Sequence, residues 1–309
     1  MEKIKILLTG GSGMVGSNLL NNVGIKNFQI YAPTSKDLNL TDYESVCNYI
    51  EKINPNIIIH AAGKVGGIQA NIKEPVAYFI DNLDMGRNIV LAARKFKIKK
   101  IINIGSCCLY PRNQIHPISE SLILKGELEP TNEGFALAKI ATARLCDYIR
   151  REDPSCQYKT IIPCGLYGDF DKFDPSDSHL IPAIIHKVHQ AKVKKISRVE
   201  IWGDGQARRE LMYAADLAEA LLKAIHDFDI LPDYMNIGLG FDHTINEYYE
   251  AVAKVVGFDG EFIHDTSKPV GVGRKLLNID RQLNWGWSAM HTLSSGIEKT
   301  YKYYLQKYA

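Results

Sequence analysis

From residue 4 to residue 23 the chain passes from an unbroken apolar run (4–8) into Gly10-Gly11-Ser12-Gly13-Met14-Val15-Gly16. A helical pattern over 14–23 follows. A short apolar run bounded by turn residues reads as a strand buried on both faces. Glycines at positions 10, 13 and 16 mark a tight strand-to-helix turn in which the backbone must come close to something else. The same alternation continues along the first half of the chain. Strands are expected at 28–31, 56–60, 100–104 and 158–163, with helices at 41–53, 75–97 and 135–150. Thr41 is expected to cap the first of these helices. Strands that alternate with helices and read as continuous apolar runs predict a parallel sheet covered on both faces.

The expected fold class is therefore α/β: a Rossmann-type doubly wound parallel sheet with a smaller mixed α/β substrate lobe. After Pro163 the pattern loosens. Residues 169–178 are rich in Asp, Ser and Pro and read as a loop. Helices are expected at 181–191, 214–226, 244–256 (with Thr244 as N-cap) and 294–305, and strands at 199–202 and 234–237. The expected division gives 1–163 to the nucleotide-binding lobe, with 206–236 returning to it, and 164–205 with 237–309 to the substrate lobe.

The net charge of +2 gives no reason to expect a nucleic-acid or membrane partner. No apolar run approaches the roughly 20 residues needed to span a bilayer, and the start of the chain lacks the pattern of an export signal. The six cysteines, Cys47, Cys107, Cys108, Cys146, Cys156 and Cys164, form no C-x-x-C pair. A cytoplasmic protein with reduced thiols and no metal site is the expectation.

Backbone N–H groups at the helix start suit a pyrophosphate, so Gly10, Gly11, Ser12, Gly13, Met14, Val15 and Gly16 form the candidate dinucleotide loop. An acid closing the second strand would hold ribose hydroxyls, but 31–36 reads Tyr-Ala-Pro-Thr-Ser-Lys. That favours NADP over NAD. Lys36 is either a partner for the 2′-phosphate or a solvated surface charge. Asp37 and Leu38, and Ala61, Ala62 and Gly63 after the third strand, complete the candidate cofactor set with Lys139 and His179.

Ser106 closes the fourth strand, where ligands bind in such sheets. Phe135 and Lys139 are spaced i,i+4 and share one helix face. The same chain carries His60-Ala61-Ala62-Gly63-Lys64-Val65-Gly66-Gly67-Ile68, Gly105-Ser106-Cys107-Cys108-Leu109-Tyr110-Pro111 and Leu128-Glu129-Pro130-Thr131-Asn132-Glu133. Further on come Pro175-Ser176-Asp177-Ser178-His179-Leu180-Ile181-Pro182, Ile201-Trp202-Gly203-Asp204-Gly205, Arg208-Arg209-Glu210 and Lys268-Pro269 with Arg274-Lys275-Leu276-Leu277.

Across nearly its whole length the chain thus resembles the GDP-L-fucose synthase family, a branch of the extended short-chain dehydrogenases. The resemblance implies a homodimeric enzyme that epimerises a GDP-linked 4-keto sugar at C3 and C5 and reduces C4 with NADPH, for surface polysaccharide synthesis. It implies Cys108 as the base, His179 as the acid on the opposite face, and Ser106 and Lys139 at the C4 carbonyl. It also implies Lys187, Trp202, Arg209 and Lys268 on the GDP half, and Cys107, Cys146 and Cys164 as packing residues. A thiolate and an imidazolium are a suitable pair for moving protons next to a ketone.

Two residues depart from that family. Phe135 stands where the family has its proton-donating tyrosine, and Gly165 where it commonly has asparagine. Phe135 is read as a Tyr→Phe replacement that impairs reduction while sparing binding. Another acid, such as water or Tyr110, and a loss of reductase activity stay open. Gly165 points to a different sugar, a 3,6-dideoxyhexose or a heptose. A C4 reductase without epimerisation and a non-catalytic GDP-sugar binder are the alternative functions.

Overall fold

A computed structural model describes residues 3–174, 177–268 and 272–309. Pro175, Ser176 and Pro269 of the motifs above lie outside the described residues. The central sheet has six parallel strands: β1 (Lys5–Thr9), β2 (Gln29–Tyr31), β3 (Ile57–His60), β4 (Lys100–Ile104), β5 (Gln157–Pro163) and β6 (Tyr234–Ile237). Their spatial order is 6-5-4-3-1-2. Chain progression reverses direction at β1, so a crevice opens beyond the carboxyl ends of β1 and β3, the position where doubly wound sheets bind ligands.

Alternation along each strand gives the sheet two buried faces. Ile6, Leu8, Ile57, Ile59 and Ile102 pack with Leu19 of α1 (Met14–Asn21) and with Leu217 and Leu221 of α6 (Ala214–His226). Leu7, Ile58 and Ile101 turn the other way, onto Val46 and Ile50 of α2 (Tyr43–Ile53), Ile89 of α3 (Pro75–Lys95) and Ile149 of α4 (Glu133–Glu152). A separate core joins Ile181, Ile185 and Val188 of α5 (Leu180–Val193), Tyr248 and Val252 of α7 (Ile245–Val256) and Ile297 and Tyr304 of α8 (Leu293–Tyr308). Short strands join this second core to the sheet's carboxyl edge: Gly165–Tyr167 pairs with Leu211–Tyr213, and Arg208–Arg209 pairs with both His243–Thr244 and Arg274–Lys275.

Local chemistry corrects two boundaries. Asp42, not Thr41, caps α2, because its carboxylate accepts the Glu44 N–H at 3.0 Å while the Thr41 hydroxyl is drawn to Asn39 Oδ1 at 2.8 Å. The third helix stops at Lys95, since Lys97 takes a left-handed φ of 58°. Thr244 does cap α7, in a full capping box with Glu247.

Candidate active site

The glycine loop is built by close approach. Gly10 has φ of 75°, and a Cβ there would lie 2.6 Å from the Ala62 nitrogen; a Cβ on Gly16 would lie 2.2 Å from the Gly10 carbonyl oxygen. Only hydrogen fits at either place. The loop therefore lies directly against the Ala61-Ala62-Gly63 turn after β3. Thr9 Oγ1 and His60 Nδ1 pair at 2.8 Å beneath it, and burial pushes the His60 pKa down to about 3, so that ring stays neutral. Helix α1 begins at Gly13 with no side-chain cap and no acid in its first turn. Its leading N–H groups are open to an anion, and the cradle fits a dinucleotide pyrophosphate.

Beyond β2 the three candidates part company. Lys36 is exposed. The Asp37 carboxylate accepts Thr34 N–H at 3.0 Å and Thr34 Oγ1–H at 2.7 Å, so it is committed to its own turn. Leu38 is a core residue at 3% exposure.

Past β4, Ser106 caps the short turn Cys107–Leu109, its Oγ accepting Cys108 N–H at 3.2 Å. Asn132, at the start of α4, donates Nδ2 to Cys108 Sγ at 3.3 Å. A hydrogen bond from the Cys107 thiol outweighs burial, and with the Lys275 ammonium and the Ser106 and Asn132 donors it holds Cys108 well below the ordinary thiol range. The neighbouring Cys107 thiol is shifted the opposite way, raised by its hydrogen bond with Cys108 and by burial. Cys146 is buried and pushed up to about 12, and Cys164 is buried too, as packing residues should be.

Lys139 is buried, donates Nζ to the Ile104 carbonyl at 3.1 Å, and lies 3.5 Å from where a Gly63 Cβ would be. Burial lowers its pKa to about 8. The Phe135 ring is 6.0 Å from that nitrogen. Tyr110, the other candidate acid, is packed into the core. It is 1% exposed, gives its hydroxyl proton to Asn236 Oδ1 at 2.5 Å, and burial drives its pKa well above the normal phenol range.

His179 stands at the N-cap of α5 with its Nδ1 3.0 Å from Asp171 Oδ1. Burial works against the imidazolium, but the hydrogen bond and charge of Asp171 prevail and raise its pKa. Lys172 bridges this loop to the one after β3, donating Nζ to Val65 O at 3.3 Å and pairing with Asp177. Asp171 and Asn132 were not among the expected residues. Asn132 lies in the 128–133 motif, but its role, like that of Asp171, becomes visible only through its partner.

In the second lobe, Trp202 is half exposed, with Nε1 donating to Glu200 Oε1 at 2.9 Å and Lys268 Nζ 5.9 Å from its ring. Lys187 donates its ammonium to the Glu200 carbonyl, a tether to strand Arg198–Trp202 that sequence spacing did not indicate. Arg209 and Lys275 line a cavity of about 50 Å³ with Cys107, Cys164, Gly165 and Glu210. Glu210 accepts the N–H groups of Leu239, Gly240 and Leu277 at 2.6, 2.9 and 2.8 Å, tying the two segments that flank this cavity.

The model of the NAD dependent epimerase/dehydratase family matches residues 6–238. The chain is 50% identical over 304 residues to a GDP-L-colitose synthase of Yersinia pseudotuberculosis, covering 98% of this chain and 99% of that protein. It is 45% identical over 301 residues to a GDP-L-fucose synthase of Azorhizobium caulinodans, covering 97% and 96%. Among solved structures, a GDP-mannoheptose C4 reductase from Campylobacter jejuni with NADP bound superposes with a TM-score of 0.88 at 27% identity, covering 98% of each chain. With its glycine cradle, strand-end serine and helix-borne lysine, the chain belongs to the NAD dependent epimerase/dehydratase family, in the branch of the GDP-L-fucose and GDP-L-colitose synthases.

Proposed function

We propose that the protein is an NADP-dependent enzyme acting on a GDP-linked 4-keto deoxy sugar, inverting C5 (and C3 where it bears a hydroxyl) and reducing C4. The observation that carries this reading is the Cys108 environment: a thiol held toward thiolate beside the strand-end serine, with Lys139 bonded to the last carbonyl of the same strand, β4. A simple reductase has no need of such a base.

NADPH supplies the hydride when bound. The glycine cradle and the first turn of α1 would hold its pyrophosphate, and Lys36 would meet the 2′-phosphate. The Cys108 thiolate takes the proton next to the ketone and becomes a thiol, leaving an enolate. His179 then gives a proton to the opposite face of that carbon and becomes neutral imidazole. Ser106 donates to the C4 oxygen. Phe135 has no hydroxyl to offer there, so reduction by this chain is slow while binding and proton exchange proceed. Arg209 and Lys187 grip the GDP phosphates, and Trp202 and Lys268 the remainder of the nucleotide. The cofactor lobe is 1–163 with 206–236, and the sugar lobe is 164–205 with 237–309.

A homodimer through α3 and α4 is part of this reading. Val76, Ile80, Leu137 and Tyr148 are large apolar side chains exposed on these two helices. The product serves surface polysaccharide synthesis in the cytoplasm.

The test is NADPH oxidation by this chain and by Phe135→Tyr, offered a GDP-4-keto-6-deoxyhexose or its 3-deoxy counterpart. Slow oxidation by the first and fast oxidation by the second are expected. Tight binding of both ligands with no oxidation by Phe135→Tyr would leave only a GDP-sugar-binding protein.

A further inference from the structure

The loop that precedes α5 is held in an unusual conformation. Phe170 has φ of 67°, a left-handed value that costs energy for a bulky residue and persists only where the surroundings impose it. Those surroundings are aromatic. Phe170 packs 5.2 Å from Tyr303, and Phe173, at 2% exposure, sits 5.1 Å from Tyr304 and 5.2 Å from Tyr308. Helix α8 thus clamps the loop on both sides of Asp171. The reversal at Phe170 turns Asp171 inward, where its side chain is 3% exposed.

Inside, Asp171 Oδ1 meets His179 Nδ1 at 3.0 Å and the Lys172 N–H at 2.8 Å. Its Oδ2 is buried and has no partner among the described residues. A buried carboxylate with one oxygen unspent is expensive unless it serves something. The charged groups that bear on the ring are Asp171 and Asp177, which favour the imidazolium, and Lys172, which opposes it. Because an ionised carboxylate only accepts, Nδ1 must carry a proton, and the ring's exchangeable valence is then at Nε2. Nε2 has no hydrogen-bond partner among the described residues.

We propose that Asp171 is the positioning residue for His179, fixing the Nδ1–H tautomer and ring orientation so that Nε2 delivers the proton to the sugar carbon. This rests on the epimerase reading above. In the step, the imidazolium loses its Nε2 proton to the enolate carbon and ends as neutral imidazole, its Nδ1–H still on Asp171. The loop clamp by α8 gives the C-terminal helix a share in that geometry.

The experiment compares the parent with Asp171→Asn and Asp171→Ala, using a GDP-4-keto-6-deoxyhexose in D₂O with NADP present. The expected result is a fall in deuterium wash-in at C5 of about 10- to 100-fold, the usual scale for losing an orienting partner. NADP affinity should stay within about threefold by the same comparison of partner loss. The upper limb of the pH–rate profile should move to lower pH in Asp171→Asn, since the imidazolium loses its supporting charge. In parallel, ¹⁵N spectra of His179 should show the protonated nitrogen as Nδ1 in the parent's neutral form, and a mixture of tautomers in Asp171→Asn. Wash-in and pH profile unchanged in Asp171→Asn, or identical His179 titration in both proteins, would overturn the proposal. Absence of wash-in by the parent on every GDP-4-keto sugar would instead end the epimerase reading, and the ¹⁵N titration would still judge the Asp171–His179 pair.

Discussion

Lys139 Nζ lies 6.0 Å from the centre of the Phe135 ring, one helical turn away on the same face, and gives a proton to the Ile104 carbonyl at 3.1 Å. The lysine is thereby seated with no help from residue 135. Restoring a hydroxyl on that ring adds an acid to a site whose supports already exist. Phe135→Tyr is expected to raise the single-turnover rate of NADPH oxidation by roughly 10²–10⁴-fold, with NADPH affinity unchanged. A stopped-flow absorbance trace at saturating substrate reads both.

Cys108 should behave as a thiolate at pH values where an ordinary thiol does not. Its pKa is depressed in the fold, so the reactive form is already present above that lowered value. Alkylation of Cys108 by iodoacetamide should rise less steeply with pH than that of a free thiol, which gains about tenfold per pH unit below its pKa of roughly 8.5. Lys275→Met removes a cation that favours the thiolate and should steepen that rise. Peptide mass spectrometry distinguishes Cys108 from Cys107.

Glu210→Ala should destabilise the protein. The change strands the N–H groups of Leu239, Gly240 and Leu277, of which the last is fully buried. A loss of about 3 kcal/mol is expected from unpaired buried donors. Chemical denaturation gives the value, and a loss below about 0.5 kcal/mol would contradict the tie.

Gly10→Ala should abolish cofactor binding and lower the melting temperature. A methyl there meets the Ala62 backbone at 2.6 Å in a left-handed conformation. Backbone cannot yield as a side-chain tip can, so NADPH titration by fluorescence should show no saturation.

If the chain pairs through α3 and α4 as proposed, Leu137→Glu should give a monomer in light scattering. Leu137 is 40% exposed on α4 and Ile80 is 42% exposed on α3. Two buried glutamates across a two-fold axis would repel each other.

The sheet and the long helices are legible in the residues themselves. β1, β3 and β4 are near-continuous isoleucine and leucine runs, and α3 and α4 carry small and apolar residues at helical spacing. The strands Gly165–Tyr167, Arg208–Arg209 and Leu211–Tyr213 are not, because two or three residues hold no period and their pairing partners lie tens of residues away. At the site, Ser106, Cys108 and Lys139 could be named from motif and resemblance; Ser106 accepts the Cys108 N–H and Lys139 bonds the last carbonyl of β4. The seating of Tyr110 is not legible in the sequence, because its hydroxyl is held by Asn236 from β6, more than a hundred residues away. Asp171, and the role of Asn132 within its motif, escape for the same reason: their meaning lies in a contact, not in a spacing.

The most direct measurement of the central claim is the deuterium content of the product made by Phe135→Tyr from a GDP-4-keto-6-deoxyhexose and NADPH in D₂O. One site performing both proton exchange and reduction predicts deuterium at C3 and C5 and protium from NADPH at C4. Protium retained at both C3 and C5 while NADPH is consumed would contradict it, and would leave a C4 reductase with an idle cysteine.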